Sequence, residues 1–183
     1  ECVLVKEDSP NVIKAWAKHA RPIEQRTVDF RDSFKPEKQS PIQMTWIKAA
    51  GAVPSNDAFQ KCLLAYASDM TLLSTSLLPH GVSWATRNVQ IASLDHAMWF
   101  HRPFDMNEWL LYVQDSPSAS GARGFTRGQI FSRVGTLVAS VTQEGLIRPR
   151  ENARLATPTG GFSRKRLAAC NRQRTLRAQV AKR

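Results

Sequence analysis

Between Lys61 and Arg87 the chain carries one charged side chain, Asp69. Around it runs Lys61-Cys62-Leu63-Leu64-Ala65-Tyr66-Ala67-Ser68-Asp69-Met70-Thr71-Leu72-Leu73. Apolar residues recur at Phe59, Leu63, Tyr66, Met70, Leu73 and Leu77. Steps of three and four mark one side of a helix for burial. Asp69 lies about 100° round that helix from Met70. Its neighbours one turn away are Ala65, Tyr66, Leu72 and Leu73. The expectation is a carboxylate in apolar company, a costly position unless it has partners. Ser55 or Asn56 can cap the helix, with Asp57 in its first turn, and Pro79-His80-Gly81 stops it. Cys62 on this helix reads as a small core residue.

After the helix the period changes to two. Residues 89–100 read as one long strand, 108–116 as a second, 125–132 as a third and 136–145 as a fourth, with Gly135 turning the chain between the last two. Residues 43–50 have strand composition ahead of the helix, with Thr45 and Ile47 facing opposite to Met44 and Trp46. The short connections favour antiparallel pairing. One long apolar helix followed by a run of antiparallel strands predicts an α+β layer in which the sheet curls around the helix. Residues 10–20 could form a helix, and 21–41, with Pro22, Pro36 and Pro41, read as an extended linker.

The charge distribution narrows the function. The 183 residues carry a formal net charge of +11. Eleven Lys or Arg and one acid, Glu151, lie from Leu146 onward, against 15 basic and 14 acidic groups before it. The body is nearly neutral and the basicity is an appendage, which argues against a nucleic-acid partner. That tail lacks the interleaved aromatics of a single-strand binder beyond Phe162. No run approaches the roughly 18 apolar residues of a membrane span. Cys2, Cys62 and Cys170 have no metal-type spacing and an odd count. They read as free thiols in a reducing compartment.

Several motifs in order then carry a resemblance. They are Arg21-Pro22-Ile23-Glu24-Gln25-Arg26, Leu64-Ala65-Tyr66-Ala67-Ser68-Asp69, Ser93-Leu94-Asp95-His96-Ala97-Met98-Trp99-Phe100-His101-Arg102-Pro103, Ser118-Ala119-Ser120-Gly121-Ala122-Arg123-Gly124-Phe125 and Gln143-Glu144-Gly145. Over residues 21–148 the chain resembles the acyl-CoA thioesterase II family. The resemblance implies a hotdog fold, a sheet wrapped around a long helix, and matches the second of the family's two hotdog units. On that reading residues 1–41 are a linker or the end of a first hotdog, 42–148 the C-terminal hotdog and 149–183 a basic, disordered tail. The implied activity is hydrolysis of fatty acyl-CoA to fatty acid and coenzyme A, in the cytoplasm, or in peroxisomes in a eukaryote. A homo-oligomer, or pairing with another hotdog unit, is implied because the family's ligand channel runs between two units. No cofactor or metal is implied.

In that family an Asp on the helix, a Thr or Ser on the next strand and a Gln on the last strand hold the attacking water. The matching positions are Asp69, Ser93 and Gln143. Many bacterial members carry Thr at the middle position; Ser93 keeps the hydroxyl. Arg123 and Arg127, beside a Gly-rich turn, are candidates for the phosphates of coenzyme A, or solvated strand-end arginines. Each residue alone has a plainer reading: Asp69 as a structural hydrogen-bonding group, Ser93 as a strand hydroxyl, Gln143 as a core or edge amide. A half that binds or assembles without turnover is the competing function. Asp95-His96 invites a Ser-His-Asp relay, but adjacent strand residues point to opposite faces, and His96 and His101 read as packing or hydrogen-bonding groups. Trp99, Phe100, Trp109 and Phe125 read as core or subunit contact ahead of acyl pocket.

Overall fold

A computed structural model describes residues 21–29, 31–86 and 89–149. The helix expected over 10–20 and the basic tail from 150 onward lie outside the described residues. The chain forms strands β1 (Ile23–Thr27) and β2 (Ile42–Ala49), helix α1 (Asp57–Leu72) and a 3-10 helix (Leu73–His80). Strands β3 (Val89–Ser93), β4 (Ala97–Phe100), β5 (Leu110–Ser120), β6 (Arg123–Phe131) and β7 (Leu137–Pro149) follow. They make one antiparallel sheet in the order β1-β2-β5-β6-β7-β3, with β4 also on β7. β1 lies within the segment expected to be a linker. It is extended as its prolines dictate, but it also pairs with β2 from Ile23 opposite Ala49 to Thr27 opposite Thr45.

Alternation decides which side chains meet the helix. Thr45, Ile47 and Ala49 on β2 are buried on that face, as are Leu110, Tyr112 and Gln114 on β5, Thr126 and Ile130 on β6, and Val141 and Gln143 on β7. Leu64, Ala67 and Leu72 of α1 complete the core.

The helix itself corrects two expectations. Its N-cap is Asn56, whose side chain accepts from the Phe59 N–H at 2.9 Å. Its α-helical part ends at Leu72 and the last eight residues tighten to 3-10 geometry. The buried positions of α1 are Gln60, Leu64, Ala67, Ser68 and Leu72, whereas Phe59 and Tyr66 are 46% and 54% exposed and Cys62 is exposed. Two aromatics of the apolar stripe, Phe59 and Tyr66, therefore turn outward, while Leu63 and Met70 pack against the core and Leu73 and Leu77 are buried; polar groups also face the sheet. Gln60, Ser68 and Thr75 have partners there, although the buried hydroxyls of Thr45 and Thr71 have none among the described residues. Gln60 Oε1 accepts from the Met106 N–H at 2.7 Å, Thr75 Oγ1 donates to Gln114 Oε1 at 3.2 Å, and Tyr112 Oη donates to the Ser68 carbonyl at 3.0 Å.

The strand expected over 89–100 is broken. Ser93 pairs with Gly145 and Ala97 with Thr142. Three residues, Leu94, Asp95 and His96, therefore face two, Gln143 and Glu144: a β-bulge. Side-chain parity inverts across it. Ser93 lies on the helix side with Gly145, whereas beyond the bulge Met98, opposite Val141, is the residue turned to the core.

Close packing requires missing side chains at three strand positions. A Cβ on Gly124 would run into Ser76 and one on Gly145 into the Leu73 side chain, both on the 3-10 helix, and one on Gly128 into the Tyr112 ring of the neighbouring strand. Because Tyr112 is fully buried, it has nowhere to move. Gly128→Ala is expected to destabilise the fold by about 1–3 kcal/mol despite the lower chain entropy of Ala. A urea midpoint no lower than that of the unmodified chain would overturn this.

Candidate active site

Asp69 stands in the last turn of α1, with no basic residue in that turn. An acid there faces the negative end of the helix dipole, so its placement does not serve helix stability. It is exposed, contrary to the buried setting expected from its neighbours: Leu72 and Leu73 are buried, but Tyr66 beside it is exposed. Its partner comes from the far side of the sequence. Gln143, wholly buried on β7, donates from Nε2 to Asp69 Oδ1. The amide orientation follows from chemistry, since only the NH2 end can donate to a carboxylate. Gln143 Oε1 is buried and has no protein partner. Thr126 Oγ1 donates to the Gln143 carbonyl at 3.0 Å and fixes the strand there.

Ser93 is exposed, on β3 opposite Gly145. Gly145 is two residues from Gln143 on β7, so all three positions share the face toward the helix. The structure thus brings Asp69 and Gln143 into contact and sets Ser93 on the adjoining strand, opposite a residue two along from Gln143. A carboxylate accepts at several lone-pair positions and an amide NH2 has two donors. The pair can therefore hold a water between them while bonded to each other.

Arg123 and Arg127 lie in another arrangement. Arg123 Nη1 is 3.4 Å from Glu144 Oε2. Arg127 makes a fork with Asp115, Nε to Oδ1 at 3.0 Å and Nη2 to Oδ2 at 2.5 Å. Of the aromatics read as core or contact, Trp99, Phe100 and Phe125 are exposed, and Trp109 lies beneath the Arg26 guanidinium, 4.4 Å from its carbon to the ring centroid. An apolar surface hollow of about 210 Å3 is lined by Phe104, Trp109, Leu110 and Val134 among others, and none of the three candidate residues borders it.

A sequence profile described as acyl-CoA thioesterase matches residues 13–146. The chain belongs to the acyl-CoA thioesterase family. It is 44% identical over 128 residues to acyl-CoA thioesterase 2 of Haemophilus influenzae, covering 70% of this chain and 45% of that protein. Among solved structures it is similar to the acyl-CoA thioesterase II TesB2 of Mycobacterium marinum, with a TM-score of 0.61 and 43% identity over 72% of this chain and 50% of that one. A protein of unknown function with a hot dog fold from Alicyclobacillus acidocaldarius aligns at a TM-score of 0.55 and 19% identity, over 70% of this chain and 46% of that one, a likeness of fold alone. The architecture is the hotdog fold. This family member spans about half the length, or less, of the relatives it matches.

Two more residues hold the helix beside Asp69; Tyr112 escaped the sequence reading, whereas His96 is the hydrogen-bonding group it was read as. Tyr112 donates to the carbonyl of Ser68, the residue before Asp69. His96 Nε2 lies 3.0 Å from Ser68 Oγ. A fully buried Tyr is visible from strand parity on β5, but its partner across the helix is not. Among the described residues no helix is long and apolar enough to cross a membrane.

Burial, and then the charge of Asp69, pushes the Tyr112 phenol far above its ordinary value. It stays a donor wherever the fold persists. The folded value exceeds the unfolded one, so this contribution is complete below pH of about 10 and declines above it by about 1.4 kcal/mol per pH unit. Tyr112→Phe is expected to lose about 1 kcal/mol at neutral pH and to show a shallower loss of stability above pH of about 10. Denaturant titrations across the alkaline range check the slope; parallel curves for the two proteins would refute it.

Proposed function

We propose that this chain hydrolyses fatty acyl-CoA to free fatty acid and coenzyme A, using a water held by Asp69, Ser93 and Gln143. One observation carries the reading: an exposed carboxylate on the helix is hydrogen-bonded by a fully buried amide from the last strand. In the reaction the water oxygen attacks the thioester carbon while Asp69 accepts one water proton. The carbonyl oxygen takes the negative charge, and the second Gln143 N–H or the Ser93 hydroxyl donates toward it. When the carbonyl re-forms, the carbon–sulfur bond breaks and the proton on Asp69 goes to the departing sulfur. Ser93 orients the water through its hydroxyl. Phosphate contacts from Arg123 or Arg127 would require them to exchange Glu144 or Asp115 for the ligand, which such exposed pairs permit at little cost. The exposed thiol of Cys62 is in keeping with a reducing compartment.

Three exposed aromatics support a second part of the reading. Phe59 and Tyr66 on α1 and Phe100 on β4 are exposed side chains along the helix and the neighbouring edge strand. We propose that a second hotdog unit covers this face and closes the acyl channel over Asp69. In a solution of this chain alone, that unit is a second copy. A half that assembles without turnover shares the surface and differs in releasing no thiol.

Thiol release from long-chain acyl-CoA separates the two. Asp69→Asn is expected to keep the fold and to lower turnover roughly 10²- to 10⁴-fold. Undiminished turnover in that variant would sink the assignment. For the pairing, sedimentation equilibrium is expected to show a dimer that Tyr66→Glu dissociates. A monomer at every concentration rules out self-pairing.

A further inference from the structure

We infer that Asp95 and His96 form a two-armed brace that positions the hydrolytic residues relative to one another, each arm holding a different one. The proposal rests on the reading of Asp69, Ser93 and Gln143 as the hydrolytic set. The two residues occupy the β-bulge between β3 and β4, directly after Ser93. One arm reaches β7. Asp95 Oδ1 accepts from the Glu144 N–H at 2.7 Å, and the Glu144 carbonyl accepts from the N–H groups of Leu94 at 2.9 Å and Asp95 at 3.4 Å. Glu144 is the residue after Gln143, so this arm fixes the strand that carries the amide.

The other arm reaches the helix. His96 Nε2 meets Ser68 Oγ, and Ser68 is the residue before Asp69. Ser68 Oγ also donates to the Ala65 carbonyl at 2.8 Å. A hydroxyl has one proton, so with that proton on Ala65 the ring must be the donor, and Nε2 carries a hydrogen. Ser68 is fully buried and is held from the opposite side by Tyr112 at its carbonyl. Rotation of the last helical turn, which would swing Asp69 away from Gln143, has to break the His96 contact first.

The bulge is what lets two consecutive residues do this. In a regular strand Asp95 and His96 would point to opposite faces of the sheet. The extra residue turns Asp95 back onto the β7 backbone and His96 toward the helix. Neither is a catalytic residue, since neither meets the Asp69–Gln143 pair directly. Both act through the neighbours of Gln143 and Asp69.

Four variants of the full chain test the brace. His96→Ala and Asp95→Ala each remove one arm. His96→Gln retains an N–H donor near the Nε2 position, and Asp95→Asn retains the Oδ1 acceptor. The alanine variants are expected to lower kcat for thiol release roughly 10- to 100-fold with KM changed less than about threefold, the mark of misplaced reacting groups. The conservative variants are expected to recover most of that loss. Alanine variants that keep kcat within about twofold, or conservative variants that lose as much, overturn the brace. If the unmodified chain releases no thiol, the hydrolytic reading fails and a second measurement decides the brace by itself. The side-chain NH2 resonances of Gln143 are expected to move in both alanine variants and to hold in both conservative ones. Resonances that stay put in the alanine variants overturn it.

Discussion

A helix that turns polar side chains toward its own sheet is held by the partners they find there. In α1 this holds for Gln60 against the Met106 backbone and Ser68 against Ala65 and His96, and in the following 3-10 turns for Thr75 against Gln114. An unpartnered group at such a place costs about 1–3 kcal/mol, so these bonds fix the rotation and height of the helix more sharply than apolar contact alone. The rest follows from that rotation. It brings Asp69 to the edge where Gln143 can reach it, and it leaves Phe59 and Tyr66 outside.

Strand positions were legible in the sequence because a sheet with one covered face imposes period two. Thr45 and Ile47, Tyr112 and Gln114, Val141 and Gln143 all lie where alternation puts them. The helix was legible in extent, through Asn56 at one end and Pro79-His80-Gly81 at the other, but not in facing. Leu73 and Leu77 of the apolar stripe are buried as spacing predicts, and Phe59 and Tyr66 are not. Here a set of long-range polar pairs governs the inward face, and no local pattern announces them. Cys62, read as a small core residue, is exposed.

The candidate site was legible as three residue types on three elements, and only as a set. What the sequence could not show was the bulge. Residues 94–96 contain no Gly or Pro to mark it, and the register on either side is a property of β7. With a continuous strand assumed, Asp95 and His96 look like an unusable pair on opposite faces. With one extra residue between two registers they become neighbours of Gln143 and of Asp69.

That extra residue also acts as a half-period shift in a readout of period two. On its near side the positions turned inward are 91 and 93; on its far side they are 98 and 100. A regular ladder through every residue from Ser93 onward would turn Ala97 inward in place of Met98, and the one extra residue of the bulge is what keeps Met98 on the core. The edge strand is therefore written in two phases. Loss of one residue between Ser93 and Ala97 would leave Met98 on the core and abolish only the bulge that aims Asp95 and His96 in different directions.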